Sequence, residues 1–432
     1  MQLQLPHSRF TLPNGLQLIV HEDHAVPIVA VNIWYGVGSK DERHGRTGLA
    51  HLFEHLMFEG SANVPEGQFD ELLESAGGVN NGSTSTDRTN YWETVPTGAL
   101  ELALFLEADR MGGLLDALTQ DKLDAQRNVV KNERRQSYEN RPYGLAFETI
   151  HKSLYPVDHP YHWPVIGWMP DLDAATLDDV QAFFRCHYAP GNASLCVAGD
   201  VESERVLELT HEYFSAIPPA GATPPVRVST LRPPQEQPLT LEDDVHLPRL
   251  YLSWHTPALF APDDAALDVF GLVLSQGKSS RLYRTLVYER QLAQNVEAFQ
   301  ASALLGSTFN IVVTARPTTD LAQLVLLVRQ ELERAGAQLE ADQIDRARHK
   351  FETSFVDSLQ QVGGFGGRAD RLNHYAYYLG EPGALAHDLE RYQRLDADAV
   401  AQAARTHLLR AAPLVLSVVP RGEAARAVHE AW

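Results

Sequence analysis

The sequence predicts an α+β protein built from two similar halves, and three observations carry that expectation. A chain of 432 residues exceeds one ordinary core, so two or more units of about 200 residues each are expected. Between Ile217 and Pro238 stand Pro218, Pro219, Pro224, Pro225, Pro233, Pro234 and Pro238. Neither a helix nor a central strand tolerates that density, so 218–238 reads as a semi-rigid linker between residues 1–217 and 239–432. Beyond the linker, strands again precede a helical stretch. That echo of the first half suggests an internal duplication.

The elements follow from local pattern. Residues 10–23, FTLPNGLQLIVHED, give two short strands around a Pro-Asn-Gly turn, and the apolar run PIVAVNIWYGVGS, 27–39, gives another. GLAHLFEHLMFEGS, 48–61, is an amphipathic helix. PEGQFDELLESAGG, 65–78, is a helix closed by a glycine pair. The polar, Thr- and Asn-rich stretch 79–96 is β-prone. Helices are expected over 98–115, 121–140 and 177–190, and a strand over 193–201. In the second half, strands over 238–258 lead to a helical stretch over 264–291 and then a strand over 306–317. The run GGFGG, Gly363 to Gly367, lacks a preceding strand and a following Gly-Lys-Ser/Thr. It reads as a flexible joint, not a phosphate cradle.

Composition excludes several classes. A formal net charge of −20 disfavours nucleic acid and anionic membranes, because phosphate binding needs a basic surface. No apolar run approaches the roughly 18 residues of a spanning helix. The 9% aromatic content suits a globular chain. Cys186 and Cys196 are compatible with a disulfide or with two separate thiols, and do not fix the compartment. The start MQLQLPHSRF has no basic region followed by an apolar core. The expectation is a cytoplasmic chain or a mature form whose leader has been removed.

The chemistry concentrates in 48–61. His51, Glu54 and His55 stand at i, i+3 and i+4, so a helix points all three side chains to one place. Two imidazoles one turn apart suit a zinc ion, and Glu54 is offset to reach past the metal towards a bound water. An ion pair flanked by surface histidines is the plainer reading. Burying three unpaired polar groups in so apolar a segment would cost several kcal/mol, which a metal removes. H-x-x-E-H is the inverted form of the H-E-x-x-H zinc signature.

With GSKDERHGRTGLAHLFEHLMFEGS (38–61), NNGSTSTDRTNY (80–91), QRNVVKNERRQS (126–137), HPYHWPVIG (159–167) and YAPGNASLCVAGD (188–200), the chain resembles the pitrilysin, insulin-degrading enzyme and mitochondrial processing peptidase family. The resemblance covers most of the chain. It implies a zinc metalloendopeptidase with two duplicated domains, each a mixed β-sheet backed by helices, together forming half of a clamshell. The third zinc ligand in that family is a glutamate on a later helix. Glu133 matches it, 78 residues after His55; from its own neighbourhood a surface salt bridge with Arg127, Arg134 or Arg135 is the plainer reading. One zinc per chain is implied, with Glu54 as the proton carrier and no covalent intermediate. Asn81, Gly82, Ser83 and Thr84 match the edge strand that receives substrate backbone in relatives.

Two departures stand out. Gln126 occupies the place of a glutamate thought to assist the zinc site in relatives. Active full-length relatives also supply an arginine and a tyrosine from their C-terminal half, where this chain holds Val287 and Gln294. Arg281 and Tyr288 have the same spacing six residues out of register and read as structural. Single-chain relatives are about twice this length. The resemblance therefore implies a heterodimer in which a homologous non-zinc subunit supplies the Arg/Tyr pair and a peptide is the substrate. A non-catalytic scaffold subunit and a small-molecule zinc hydrolase are the alternatives. Half-length bacterial relatives are often exported, so the periplasm is expected, with the cytoplasm as alternative.

Overall fold

The computed structural model describes residues 3–219, 223–231, 237–430 and 432. Pro233 and Pro234 of the expected linker lie outside the described residues. The described positions 223–231 form neither helix nor strand. The chain forms two compact units: Met1–Glu133, Trp163–Arg227 and Phe355–Asp388 make the first, and Arg134–His162, Val228–Ser354 and Leu389–Trp432 the second. A division at 218–238 therefore departs from the folded units at two segments. Residues 134–162 precede the prolines yet belong to the second unit, and 355–388 follow them yet belong to the first.

In the first unit β1 (Ser8–Thr11), β2 (Gln17–Glu22), β3 (Ile28–Tyr35), β4 (Val79–Thr84), β5 (Thr89–Pro96) and β6 (Ala193–Gly199) form one mixed sheet. Their order is β1-β2-β6-β3-β5-β4, with β2 and β6 parallel and the other neighbours antiparallel. Side chains alternate across a strand, and β5 shows the result. Tyr91 and Glu93 meet helix α1 (Leu49–Leu56) and the helix Leu100–Ala117 on one face, through Phe53 and Arg110. Asn90, Trp92 and Thr94 face the helix Arg368–Leu379 and the turn before it. That helix is held by hydrogen bonds from Trp34 Nε1 to Asp370 and from Asn373 Nδ2 to the Asn32 carbonyl, both 2.8 Å. The glycine run is the turn that leads into it. Gly364 and Gly366 have φ of +77° and +76°, and Phe365 packs edge-on against Trp92.

The second unit repeats the plan. Here β7 (Leu239–Asp243), β8 (Arg249–Thr256), β9 (Ala293–Ala301), β10 (Ser307–Ala315) and β11 (Leu414–Pro420) pair in the order β7-β11-β8-β10-β9, with β7 and β11 parallel. Strand for strand this reproduces β2-β6-β3-β5-β4, including the one parallel pair, so the duplication lies in topology. The helix Ala146–Leu154 packs Ala146, Ile150 and Leu154 with Tyr251, Leu414 and Leu416. On the other side Leu250, Leu252, Trp254, Phe270 and Phe309 centre the larger core. Strand β9 was not expected from sequence, because three of its four buried positions are filled by Ala293, Ala298 and the polar Gln300, and only the fourth, Val296, is a larger apolar residue. Cys186 and Cys196 are separate thiols. No described helix is long and apolar enough to cross a membrane.

One buried charge cluster braces the first unit. Arg110, 1% exposed, donates to Glu107 and, at 3.2 Å, to Glu93, both fully buried. Its guanidinium also lies 4.4 Å from the rings of Phe69 and Tyr91. Burial first, and the Glu107 charge second, push the Glu93 pKa up. Removing the only cation leaves two desolvated carboxylates facing each other. Arg110→Met is expected to destabilise the protein by about 3–5 kcal/mol, read as a lower urea midpoint by circular dichroism.

Candidate metal centre

Helix α1 packs beside β4, and its apolar stripe, Leu49, Leu52, Phe53 and Leu56, is buried. The same periodicity sends His51, Glu54 and His55 away from that stripe as one group. Glu133 arrives from the helix Gln120–Arg134, whose buried side carries Leu123 and Val130. Val129, next to Val130 in the chain, is exposed. Two basic neighbours of Glu133 are engaged elsewhere: Arg127 binds Asp124 and the Ala175 carbonyl, and Arg134 binds Glu148. Glu133 faces the histidines instead.

The distances define a tripod. Glu133 Oε2 lies 3.7 Å from His51 Nε2 and 3.3 Å from His55 Nε2, and the three ligand atoms fall within 4.8 Å of one another. Tetrahedral zinc with bonds of about 2.0–2.1 Å sets its ligand atoms about 3.3 Å apart, so two imidazoles and this carboxylate fit the ion. Their protonation suits it as well. Burial lowers the His51 pKa and favours the neutral ring. The hydrogen bond with His55, ahead of other effects, lowers the Glu133 pKa and favours the carboxylate. Glu54 stands just outside the tripod, with Oε2 4.0 Å from His51 Nε2.

The other expected residues divide. Strand β4 is the sheet edge, and a Cβ added to Gly82 would lie 3.3 Å from Glu54 Cγ and 3.0 Å from Tyr91 Cδ1. Gly82 therefore brings the edge backbone against Glu54, where a side chain would crowd it. Asn81 Oδ1 accepts from the Gly82 amide, and Arg88 donates to the Ser83 carbonyl, so part of that edge is already engaged within the unit. Thr84 closes the strand at its pairing with Thr89. Gln126 donates to Glu59 Oε1 at 2.6 Å. Glu59, whose pKa is raised mainly by burial, was not singled out from sequence, although its place four residues after His55 was a signal. In the second unit Val287 packs against the core and Gln294 is exposed on β9. Arg281 donates to Gln343 at 3.0 Å and Tyr288 is 73% exposed, so neither enters a site with the other.

Residues 18–160 match the family model described as Insulinase (Peptidase family M16), and 174–351 match the one described as Peptidase M16 inactive domain. The tripod's residues all fall in the first match. The chain is 33% identical over 369 residues to Zinc protease PqqE of Helicobacter pylori, covering 83% of this chain and 82% of that one. It is 22% identical over 423 residues to a probable mitochondrial-processing peptidase subunit beta of Arabidopsis thaliana, covering 94% and 77%. The crystal structure of a protease from Helicobacter pylori superposes with a TM-score of 0.88 at 28% identity, over 97% of this chain and all of that one. By sequence and by fold, then, this chain belongs to peptidase family M16.

Proposed function

We propose that the chain is the zinc-bearing subunit of a metalloendopeptidase, with His51, His55 and Glu133 as the ligands and Glu54 as the catalytic acid–base. The observation that carries this reading is the convergence of two Nε2 atoms and one carboxylate oxygen at zinc-like spacing, with a fourth polar group beside them. Zinc there supplies Lewis acidity towards water and the scissile carbonyl. Glu54 takes the proton released by the attacking water at its carboxylate and returns it to the leaving amine. The β4 edge at Asn81–Thr84 takes the substrate main chain, and Gly82 lets that main chain approach Glu54. The second catalytic contribution comes from a homologous subunit carrying the Arg/Tyr pair. A periplasmic location belongs to the same proposal and rests on likeness to half-length bacterial relatives.

The metal arm is tested by content. The purified chain is expected to hold about one zinc, to lose peptidase activity in chelator and to regain it with added zinc. His51→Ala and Glu133→Gln are each expected to lower the bound zinc at least tenfold by elemental analysis. Full zinc in both variants would reject the ligand set. Zinc without hydrolysis in any assembly would favour a scaffold subunit.

A further inference from the structure

Helix α1 begins without help from its own sequence. Its N-cap is Gly48, with φ of +89° and no side chain to accept from the first-turn amides. Eight residues form a marginal helix in isolation, and here they carry three of the four groups of the proposed site. A capping box normally meets this need with two local side chains, one for the N2 or N3 amide and one for the N-cap amide. In this chain one half-buried carboxylate does both. Glu42, six residues upstream of the N-cap, accepts from the Gly48 amide at 2.8 Å and from the Ala50 amide at 2.7 Å, one through each oxygen.

The segment between Glu42 and α1 is itself anchored. Asp171 accepts from the Thr47 amide at 3.1 Å and from the Thr47 hydroxyl at 2.7 Å, and that hydroxyl accepts from the Trp168 amide. Arg46 pairs with Asp179 at 3.1 Å. Gly48 is pressed on Gly167, where a Cβ on either glycine would fall 2.5–3.0 Å from backbone of the other. The segments 42–48 and 167–179 thus act as a mount for the start of α1. Among the described residues, Glu42 is the charged group that meets the backbone amides at the start of the helix.

We infer that Glu42 is a positioning residue for the zinc-peptidase reaction, clamping the first turn of α1 so that His51 and Glu54 stand correctly towards Glu133. The inference rests on the proposed function for its consequence, though not for its geometry. Ala50 directly precedes His51, so a shift of the clamped amide passes straight to the first ligand. Glu42→Gln is the sharp substitution. It keeps the shape but offers one acceptor oxygen where two amides need one each, and it turns an NH2 donor towards the other amide.

The experiment combines hydrogen exchange with metal and kinetic measurements. In the wild-type chain the Gly48 and Ala50 amides are expected to be protected comparably to Leu52, whose amide bonds to the Gly48 carbonyl. In Glu42→Gln both should exchange faster while the far-ultraviolet circular dichroism is kept. Zinc affinity should fall about 10- to 100-fold, the cobalt-substituted absorption spectrum should change, and kcat should fall with KM little altered. Unprotected Gly48 and Ala50 amides in the wild type would overturn the clamp even if the variant failed to fold. Zinc affinity, spectrum and kcat within about threefold of wild type in a folded Glu42→Gln would overturn the positioning role. Should the wild type bind no zinc, the proposed function fails while the exchange result still decides whether the clamp exists.

Discussion

Glu54→Gln is expected to keep about one zinc per chain and to lower kcat by about 100- to 10,000-fold, the range for losing a general acid–base. The reason is positional. Glu54 Oε2 is 4.0 Å from His51 Nε2, while the tripod closes through Glu133, so glutamine at 54 removes no ligand. The amide preserves size and a hydrogen-bonding oxygen but cannot carry a proton at neutral pH. Gly82 keeps backbone against this side chain, so a substitution of equal volume leaves the local packing alone. Elemental analysis and a quenched-peptide assay on one preparation decide the matter. Loss of zinc in Glu54→Gln together with retention in His51→Ala would exchange the two roles.

The isolated chain is expected to be slower than its complex by roughly 100- to 1,000-fold, the cost of a missing oxyanion donor. Val287 is half-buried against the core of the second unit, Gln294 is a neutral amide on β9, and Arg281 is tied to Gln343. None supplies a cation and a phenol together. A subunit of similar length that carries the Arg/Tyr pair but lacks H-x-x-E-H should restore activity on mixing. Substituting its arginine or tyrosine should abolish the rescue while leaving the complex intact by size-exclusion chromatography. Full activity of this chain where no such subunit is detectable would overturn the heterodimer.

How much was legible beforehand depended on the range of the signal. His51, Glu54 and His55 could be grouped because helical geometry fixes neighbours within one turn. Glu133 could not be placed from its own surroundings, where three nearby arginines made a salt bridge the plainer explanation. It needed the resemblance, and the packing of Val130, not Val129, shows which way its helix turns. Glu42 and Glu59 act across turns whose course no local period specifies. Strands with large apolar residues on a buried face were readable, whereas β9, built on alanines and Gln300, was not. The prolines marked a break in secondary structure, but the exchange of 134–162 and 355–388 between units depends on which sheet face each helix covers.

That exchange also constrains how the molecule is made. On a ribosome, the sheet of the first unit has all its strands once Gly199 has emerged, yet the helix that covers Ile19, Ala30, Cys196 and Ala198 ends 180 residues later at Leu379. At about 5–20 residues per second, that apolar face waits roughly 10–40 s for its cover. Throughout that interval the nascent chain presents an unfinished surface to which holding chaperones or misplaced strands can bind. The unit that carries His51, His55 and Glu133 is therefore completed close to the end of translation, although those residues are made early.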